Sequence, residues 1–134
     1  MPLDLSSLVR ALASLDKAIA RSQGAPDDAE LRDAVIQRFE YTYELCWKLL
    51  RRRLEEDAAD RDSVAQMSFR DLMRAGAERG FVDDVEAWLV YREHRNLSSH
   101  IYDERKAERV HRTAAAFAPA ARALLLRLEA ANDA

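Results

Sequence analysis

Residues 29–57 read AELRDAVIQRFEYTYELCWKLLRRRLEED, the longest helical pattern in the chain. At 100° per residue, the apolar side chains of this segment fill an arc of about 160° around the helix axis. Those side chains are Leu31, Val35, Phe39, Tyr43, Cys46, Trp47, Leu50 and Leu54. So wide an apolar face is typical of a central helix that packs against at least two neighbours. The sequence therefore predicts a bundle built around this segment.

Four further helices are expected around this central segment, because apolar residues recur there every three or four positions. Their expected ranges are 3–22, 68–79, Asp83 or Asp84 to about 97, and 103–130. Residues 57–66 are polar and predict a loop, after which the Ser68 hydroxyl can cap a short helix that stops at Gly80. Pro119 falls inside the last pattern, where it removes a backbone donor and should kink the helix.

Composition indicates an all-α fold in one domain, residues 1–134. The chain has only three Gly and three Pro, it is dominated by good helix formers, and valine and isoleucine are sparse. These features, together with the apolar patterns, predict an all-α bundle of about five helices.

Composition also limits the classes of function. The formal charge of −3 argues against nucleic-acid binding by bulk electrostatics, although it leaves room for a local basic site. The single Cys46 excludes an intramolecular disulfide and lies in an apolar pattern, which predicts a buried thiol. No run of apolar residues reaches membrane-spanning length and the N-terminus lacks a signal-peptide pattern, so a cytoplasmic location is expected. No residue spacing suggests a metal site or a glycine-rich phosphate loop, so no cofactor is expected.

The segment Arg95-Asn96-Leu97-Ser98-Ser99-His100-Ile101-Tyr102-Asp103 gathers many reactive side chains where the fourth helix should end. Along the expected inner line of that helix, Val85 and Leu89 are followed by three polar residues: Arg92, Asn96 and Ser99. Arg95 lies seven residues after Trp88 and should share its face. An apolar stripe that turns polar predicts a polar cleft at one end of the bundle.

Arg95 and His100 can meet only if the helix ends between them. In an unbroken helix two residues five apart point about 140° apart, whereas a turn near residue 97 or 98 lets them converge on one ligand. Asp103 would then cap the fifth helix and place Tyr102 beside its positive N-terminus. Arginines follow on one side of the fifth helix, near the same junction: Arg105, Arg109 and Arg112.

Structural explanations compete with each of these functional ones. Arg95 could simply pair with Glu40, which is expected to be half-buried, or with Glu44, which is expected to lie closer to solvent. His100 could satisfy a helix end, and Tyr102 could be ordinary packing. The arginines alternate with Glu104 and Glu108, which favours a solvated face. Two tryptophans are expected in the core and two histidines at the surface: Trp47, Trp88, His94 and His111.

Two blocks of sequence resemble one known family. Residues 95–103 contain the Arg-x4-His-x-Tyr signature of the HEPT superfamily, and the chain is most similar to its nucleotidyltransferase substrate-binding proteins. The block Ile36-Gln37-Arg38-Phe39-Glu40-Tyr41-Thr42-Tyr43-Glu44-Leu45-Cys46-Trp47-Lys48 is similar to the second-helix pattern of that family. Trp88 also fits, and the resemblance spans nearly the whole chain. One departure is Ile101, at a position where a small polar residue is expected.

The resemblance implies an up-and-down helical bundle with a four-helix core, commonly a homodimer, whose partner is a minimal nucleotidyltransferase (MNT). Some such pairs are toxin–antitoxin systems in which the HEPT protein is a ribonuclease and the MNT silences it by adding AMP to the motif tyrosine. Carried over to this chain, the resemblance implies that Arg95 and His100 are catalytic, that Tyr102 is modified and that Asn96 shapes the pocket. The older family name implies a different role, in which the protein presents a substrate or nucleotide to the transferase.

Three functional hypotheses therefore stand at the level of sequence. The first is a metal-independent ribonuclease toxin, in which His100 moves protons and Arg95 stabilises charge on the phosphate. The second is a non-catalytic module that binds a nucleotide or substrate through a cleft containing Arg92, Asn96, Ser99, Tyr102 and Glu40. The third is a dimer scaffold with a buried Arg95–Glu40 pair.

Overall fold

The computed structural model describes residues 2–134, and residue 1 of the expected domain lies outside the described residues. Within this range the chain forms helices and no strand. The helices are α1 (Ser6–Gln23), α2 (Ala29–Asp57), α3 (Arg61–Ala65), α4 (Phe69–Glu78), α5 (Val85–Leu97) and α6 (Glu104–Asn132). A short 3₁₀ turn, Ser98–His100, continues from the end of α5. The prediction of an all-α helical bundle is confirmed.

The centre of the bundle is α2, which contacts α1, α3, α4, α5 and α6. Its wide apolar face explains this position, since Phe39 and Cys46 are fully buried. Burial also raises the pKa of the Cys46 thiol, as expected for an inert core cysteine.

Phe117 of α6 packs against α2 and against α5, the helix at whose end the polar segment (residues 95–103) begins. Its ring centroid lies 5.1 Å from that of Phe39, 5.6 Å from that of Trp88 and 5.2 Å from that of Tyr91. All three ring pairs meet edge to face, a favourable arrangement for aromatic side chains. Phe117 therefore supports both α2 and α5 at the level where the polar segment begins.

The segment expected to be a loop contains α3. The Asp60 carboxylate accepts a hydrogen bond from the Asp62 amide at 3.0 Å and so caps the helix. Val64 is buried and anchors the single turn to the core. One cap and one apolar side chain are thus enough to order a segment whose composition is polar.

Two other expectations concern the ends and interior of helices. Gly80 follows α4 with a φ of 82°, a left-handed conformation that glycine adopts readily, so the predicted stop is confirmed. Pro119 lies inside α6, and the helix continues through it to Asn132. A proline costs a helix one backbone hydrogen bond, but the alanine- and leucine-rich flanks of α6 remain helical.

The two ends of the described chain meet at one end of the bundle. The Leu3 backbone amide donates to the Asn132 side-chain oxygen at 2.9 Å, and the Asn132 side-chain nitrogen, Nδ2, donates to the Leu3 carbonyl at 2.9 Å. We call this pair of bonds the terminal clasp. Within residues 2–134, no helix is both long enough and apolar enough to span a membrane.

Candidate functional site

Arg95 lies between two glutamates of α2. Its Nη1 atom is 3.1 Å from Glu40 Oε2 and its Nε atom is 3.6 Å from Glu44 Oε1. Glu40 and Glu44 are one helical turn apart, so both carboxylates face α5. The expected pairing of Arg95 with these glutamates is confirmed, and it involves both of them. The expected contrast in exposure is small, since 30% of the Glu40 side chain and 35% of the Glu44 side chain are exposed.

Ser98 completes this cluster and was not expected from the sequence. Its hydroxyl accepts from Arg95 Nη1 at 3.1 Å and lies 2.8 Å from Glu40 Oε2 and 2.6 Å from the Arg95 carbonyl. Because one hydroxyl has one proton, it donates to only one of these two oxygens at a time. Ser98 is buried, and it fixes the first residue of the 3₁₀ turn to α2.

The inner line of α5 differs from the predicted one. The residues that face the core are Trp88, Tyr91 and Ser98, with half-buried Arg95 between them, whereas Arg92, Asn96 and Ser99 are exposed. The aromatic side chains set the face because they bury more apolar area than Val85 and Leu89, which are only partly buried. The prediction that Trp88 and Arg95 share a face is confirmed.

A cleft of about 230 Å³ opens beside Arg95. Its lining comes from α2, α4 and α5: Tyr43, Glu44, Trp47, Arg51, Phe69, Arg92, Arg95 and Asn96. The Arg51 guanidinium stacks 5.3 Å from the Trp47 ring, and the Arg92 guanidinium stacks 5.1 Å from the Phe69 ring. The cleft therefore offers three cationic side chains and one carboxylate, a balance that favours an anion.

Several lining residues of this cleft differ from the sequence-based expectations. Arg92 and Asn96 do belong to one polar cleft, but they reach it from the exposed side of α5. Ser99 lies outside this lining, and its hydroxyl donates to the Asn96 carbonyl at 3.1 Å. Trp47 was expected in the core; it is partly buried and donates from Nε1 to Glu44 at 3.2 Å. The indole N–H of a tryptophan needs a hydrogen-bond acceptor, and this need could have indicated a position at the edge of a polar cleft.

His100 and Tyr102 form an exposed pair at the turn between α5 and α6. His100 Nδ1 lies 3.2 Å from the Tyr102 hydroxyl, and the two rings are nearly perpendicular at 5.8 Å between centroids. The Tyr102 side chain is the most open of the large apolar residues, with 82% of its surface exposed. The suggestion that Tyr102 is ordinary packing is therefore wrong.

Arg95 and His100 make separate sets of contacts. Arg95 bonds toward α2, whereas His100 bonds to Tyr102. The 3₁₀ turn Ser98–His100 follows directly on α5 and lies between the two side chains in the chain. Asp103 then caps α6 as predicted, because its carboxylate accepts from the Arg105 and Lys106 amides at 3.0 and 3.3 Å.

A second arginine cluster joins α2 to the start of α6. Arg32 Nη1 lies 2.6 Å from Glu104 Oε2 and 3.4 Å from Glu108 Oε1, and its Nε lies 3.1 Å from Asp33. Hydrogen bonding to Glu104 raises the pKa of Arg32, against the opposing effect of burial. Sequence reasoning missed this cluster, although Glu104 and Glu108 repeat the spacing of Glu40 and Glu44.

The two histidines that were expected at the surface are half-buried and bonded between helices. His94 Nδ1 makes a short contact with the Thr113 hydroxyl of α6, and His111 Nε2 lies 2.9 Å from the buried Ser22 hydroxyl of α1. Burial lowers the pKa of both histidines. They join α5 to α6 and α6 to α1 and are not loose surface groups.

Comparisons with known proteins agree with this architecture. The sequence profile of a family described as "Nucleotidyltransferase substrate binding protein like" matches residues 3–130. A curated relative from Haemophilus influenzae, "Probable ribonuclease HepT", is 40% identical over 76 residues, which are 57% of this chain and 52% of the relative. The matched stretch thus spans about half the length of that relative.

Two solved structures share the fold. One, from Haemophilus influenzae, was described as revealing the fold of a substrate-binding domain of a nucleotidyltransferase; it superposes with a TM-score of 0.89 at 30% identity, over 94% of this chain and 99% of that one. A crystal structure from Thermus thermophilus superposes with a TM-score of 0.74 at 30% identity, over 90% of this chain and 98% of that one. By profile, sequence and fold, the chain belongs to the nucleotidyltransferase substrate-binding protein-like family.

Proposed function

We propose that this chain is the HEPT component of a HEPT/MNT pair, a metal-independent ribonuclease whose Tyr102 receives AMP from the partner transferase. The observation that carries the proposal is the exposed Tyr102 hydroxyl, 3.2 Å from His100 Nδ1. A transferase can reach such a hydroxyl without opening the bundle. Family membership and the name of the Haemophilus relative support the same reading.

In the proposed cleavage, His100 acts on the RNA directly. Its imidazole takes the proton of a 2′-hydroxyl, whose oxygen attacks the adjacent phosphorus to form a 2′,3′-cyclic phosphate. The P–O5′ bond breaks, and the 5′-oxygen leaves with a proton from solvent water. Arg95 stabilises the negative charge that builds on the phosphate oxygens. Because Arg95 contacts Glu40 and Glu44 in the free protein, RNA must replace at least one carboxylate at the guanidinium.

In the proposed silencing step, the Tyr102 oxygen attacks the α-phosphorus of ATP and pyrophosphate leaves. His100 accepts the phenol proton at Nδ1, in the tautomer whose own proton is on Nε2. The product carries a phosphodiester and an adenosine beside His100, where they would exclude RNA by bulk and by charge. His100 thus takes part both in the proposed activity and in its control.

Cleavage of a fluorescent RNA in EDTA tests the first part of this proposal. We expect His100→Ala to lower kcat by about 100-fold or more, the usual contribution of an acid–base group. Circular dichroism controls for folding, which an exposed residue should not disturb. Equal cleavage by wild type and His100→Ala, or none by either, would refute the ribonuclease.

Co-expression with the nucleotidyltransferase whose gene lies nearest to the gene for this chain tests the addition of AMP to Tyr102. We expect intact-mass spectrometry to show addition of one AMP, and peptide mapping to place it on Tyr102. Tyr102→Phe should remain unmodified, whereas Tyr41→Phe, at another exposed tyrosine, should be modified normally. Modification of Tyr102→Phe would contradict the assignment.

A second function, a nucleotide-binding subunit without catalysis, is favoured by the cleft. The cleft holds Arg51, Arg92 and Arg95 beside an indole ring, which suits the phosphates and base of a nucleotide. Calorimetry with ATP, with and without the transferase, tests this role, and Arg92→Gln should weaken binding several-fold. The absence of heat in both titrations would exclude it.

The family resemblance also supports a homodimer and a cytoplasmic location, and we include both in the proposal, with residues 1–134 as one domain. Light scattering after size exclusion measures the first directly. A mass of one chain, about half of that expected, would contradict the dimer.

A further inference from the structure

Three arginines form an exposed ridge along the first half of α6. Arg105, Arg109 and Arg112 are exposed, and at 100° per residue they fall within an arc of about 60°. The rise of 1.5 Å per residue places the first and last about 10 Å apart along the helix. We call these three residues the arginine ridge.

The acidic residues that alternate with this ridge are engaged elsewhere. Glu104 and Glu108 both contact Arg32 of α2, a side chain that is only 8% exposed. In the part of the chain that the structure describes, no carboxylate forms an ion pair with any of the three ridge arginines. The ridge therefore keeps its charge on the solvated face that the sequence favoured.

The ridge begins beside the exposed His100–Tyr102 pair. Arg105 follows Tyr102 by three residues, and the chain between them turns tightly, with the Asp103 amide donating to the His100 carbonyl at 3.0 Å. The Asp103 carboxylate already caps the positive end of the α6 dipole, so the arginines supply the positive charge that remains for a ligand at this point. A chain of phosphates that reaches His100 can thus continue along the ridge.

We propose that the arginine ridge binds the backbone phosphates of single-stranded RNA and guides the strand to His100. This inference rests on the proposed ribonuclease function and names the surface that holds its substrate. The ridge is about as long as three stacked nucleotides, at about 3.4 Å each. Guanidinium groups suit phosphate oxygens because they donate in pairs, and the contacts should be independent of base sequence.

Binding of a short single-stranded RNA, blocked against cleavage by 2′-O-methyl groups, tests the ridge without catalysis. The variant is Arg105→Gln/Arg109→Gln/Arg112→Gln, with fluorescence anisotropy measured over a series of NaCl concentrations. The matched control removes three exposed arginines from other helices: Arg10→Gln, Arg52→Gln and Arg61→Gln. Both variants change the net charge by the same amount, so they separate a local site from general electrostatics.

We expect the ridge variant to bind RNA at least ten-fold more weakly in about 100 mM salt. The slope of log K against log salt should fall by about 2, since each phosphate contact contributes about 0.7 for a single strand. The control should lose less than about two-fold. Equal losses in the two variants, or no loss in the ridge variant, would overturn the ridge as an RNA surface.

Two further results separate this inference from the proposed function. If wild type binds the blocked RNA through the ridge but never cleaves unblocked RNA, the ribonuclease fails and the ridge stands. If wild type cleaves RNA and the ridge variant has the same kcat/KM, the ribonuclease stands and the ridge fails. A ridge variant that keeps its RNA affinity but no longer binds the transferase would show that the ridge contacts protein, which also overturns the proposal.

Discussion

Two ion-pair clusters in this bundle have the same side-chain types but differ in their exposure to solvent. In one, Arg32 of α2 contacts Glu104 and Glu108 of α6; in the other, Arg95 of α5 contacts Glu40 and Glu44 of α2. Each is an arginine between two glutamates that lie one helical turn apart. The Arg32 side chain is 8% exposed, whereas that of Arg95 is 30% exposed and lines a cleft.

The difference shows that access, not composition, separates a structural ion pair from a candidate site. Arg32 is covered, so its cluster mainly joins α2 to α6. Arg95 lines the cleft and 30% of its side chain is exposed, so an incoming anion can compete with the glutamates. Variants that act on one cluster and not the other should make this contrast measurable.

Phe117→Ala should have the largest effect, because Phe117 packs on the aromatic residues that position Arg95 and is fully buried. We expect the free energy of unfolding to fall by about 4 kcal/mol, the usual cost of removing a core phenyl ring. Urea unfolding followed by circular dichroism measures this loss. Phe117→Leu keeps most of the volume and should cost about half as much; equal losses would show that the edge-to-face contacts, not the cavity, dominate.

Arg95→Ala should abolish function and spare stability. We expect RNA cleavage to fall by about 100-fold or more, because the group that stabilises charge on the phosphate is lost. The free energy of unfolding should change by about 1 kcal/mol or less, because both glutamates remain in contact with water. Single-turnover kinetics measure the cleavage rate, and urea unfolding measures the free energy of unfolding. A large loss of stability with an unchanged cleavage rate would show that Arg95 has a structural role and not a catalytic one.

Arg32→Met should give the opposite pattern. The long apolar side chain keeps the packing, but the covered ion pair is lost, and we expect about 1–2 kcal/mol less stability. The cleavage step itself should keep its kcat, because Arg32 lies outside the cleft. RNA affinity should fall, because Glu104 and Glu108 become free to face the arginine ridge. If kcat fell as it does for Arg95→Ala, the contrast between the clusters would disappear.

Acid should weaken the bundle near the Arg32 cluster through His111, with the smallest effect of the set. Burial lowers the pKa of His111 in the folded protein, so protonation favours the unfolded chain. The contribution of His111 is complete above the unfolded pKa of about 6.5 and is lost as pH falls through its lower folded pKa. Urea unfolding between pH 7.5 and 5 measures the loss, which should be smaller in His111→Gln; an identical pH profile would exclude this histidine.

Helix positions and one ion pair could be predicted from the sequence, because they depend on local periodicity. The α2 segment and the pairing of Arg95 with Glu40 and Glu44 are examples. The phase of α5 could not, since apolar residues occur on two of its faces and only the tertiary contact with Phe117 selects the aromatic one. Short α3 was missed for a similar reason, because Val64 gains its anchor only once α2 is in place.

The candidate site was harder to predict because it depends on how one helix ends. The sequence suggested that a turn would let Arg95 and His100 converge on one ligand; in the structure the 3₁₀ turn and the Ser98 hydroxyl hold Arg95 against Glu40, whereas His100 contacts Tyr102. Hydroxyl groups commonly bond to nearby backbone at helix ends. Nothing in the spacing of Ser98 distinguishes it from Ser99, which points outward.

The terminal clasp offers a place to attach a label or a surface anchor at a distance from the candidate site. Arg32, near one end of α2, contacts Glu104, whereas Arg53, near the other end, contacts Asn132 at 3.4 Å. Twenty-one residues of helix separate the two arginines, a distance of about 30 Å. A linker, dye or surface anchor joined at either side of the clasp therefore enters far from Tyr102. Immobilised in this way, the protein would present its His100–Tyr102 pair to the solution, ready for single-molecule observation.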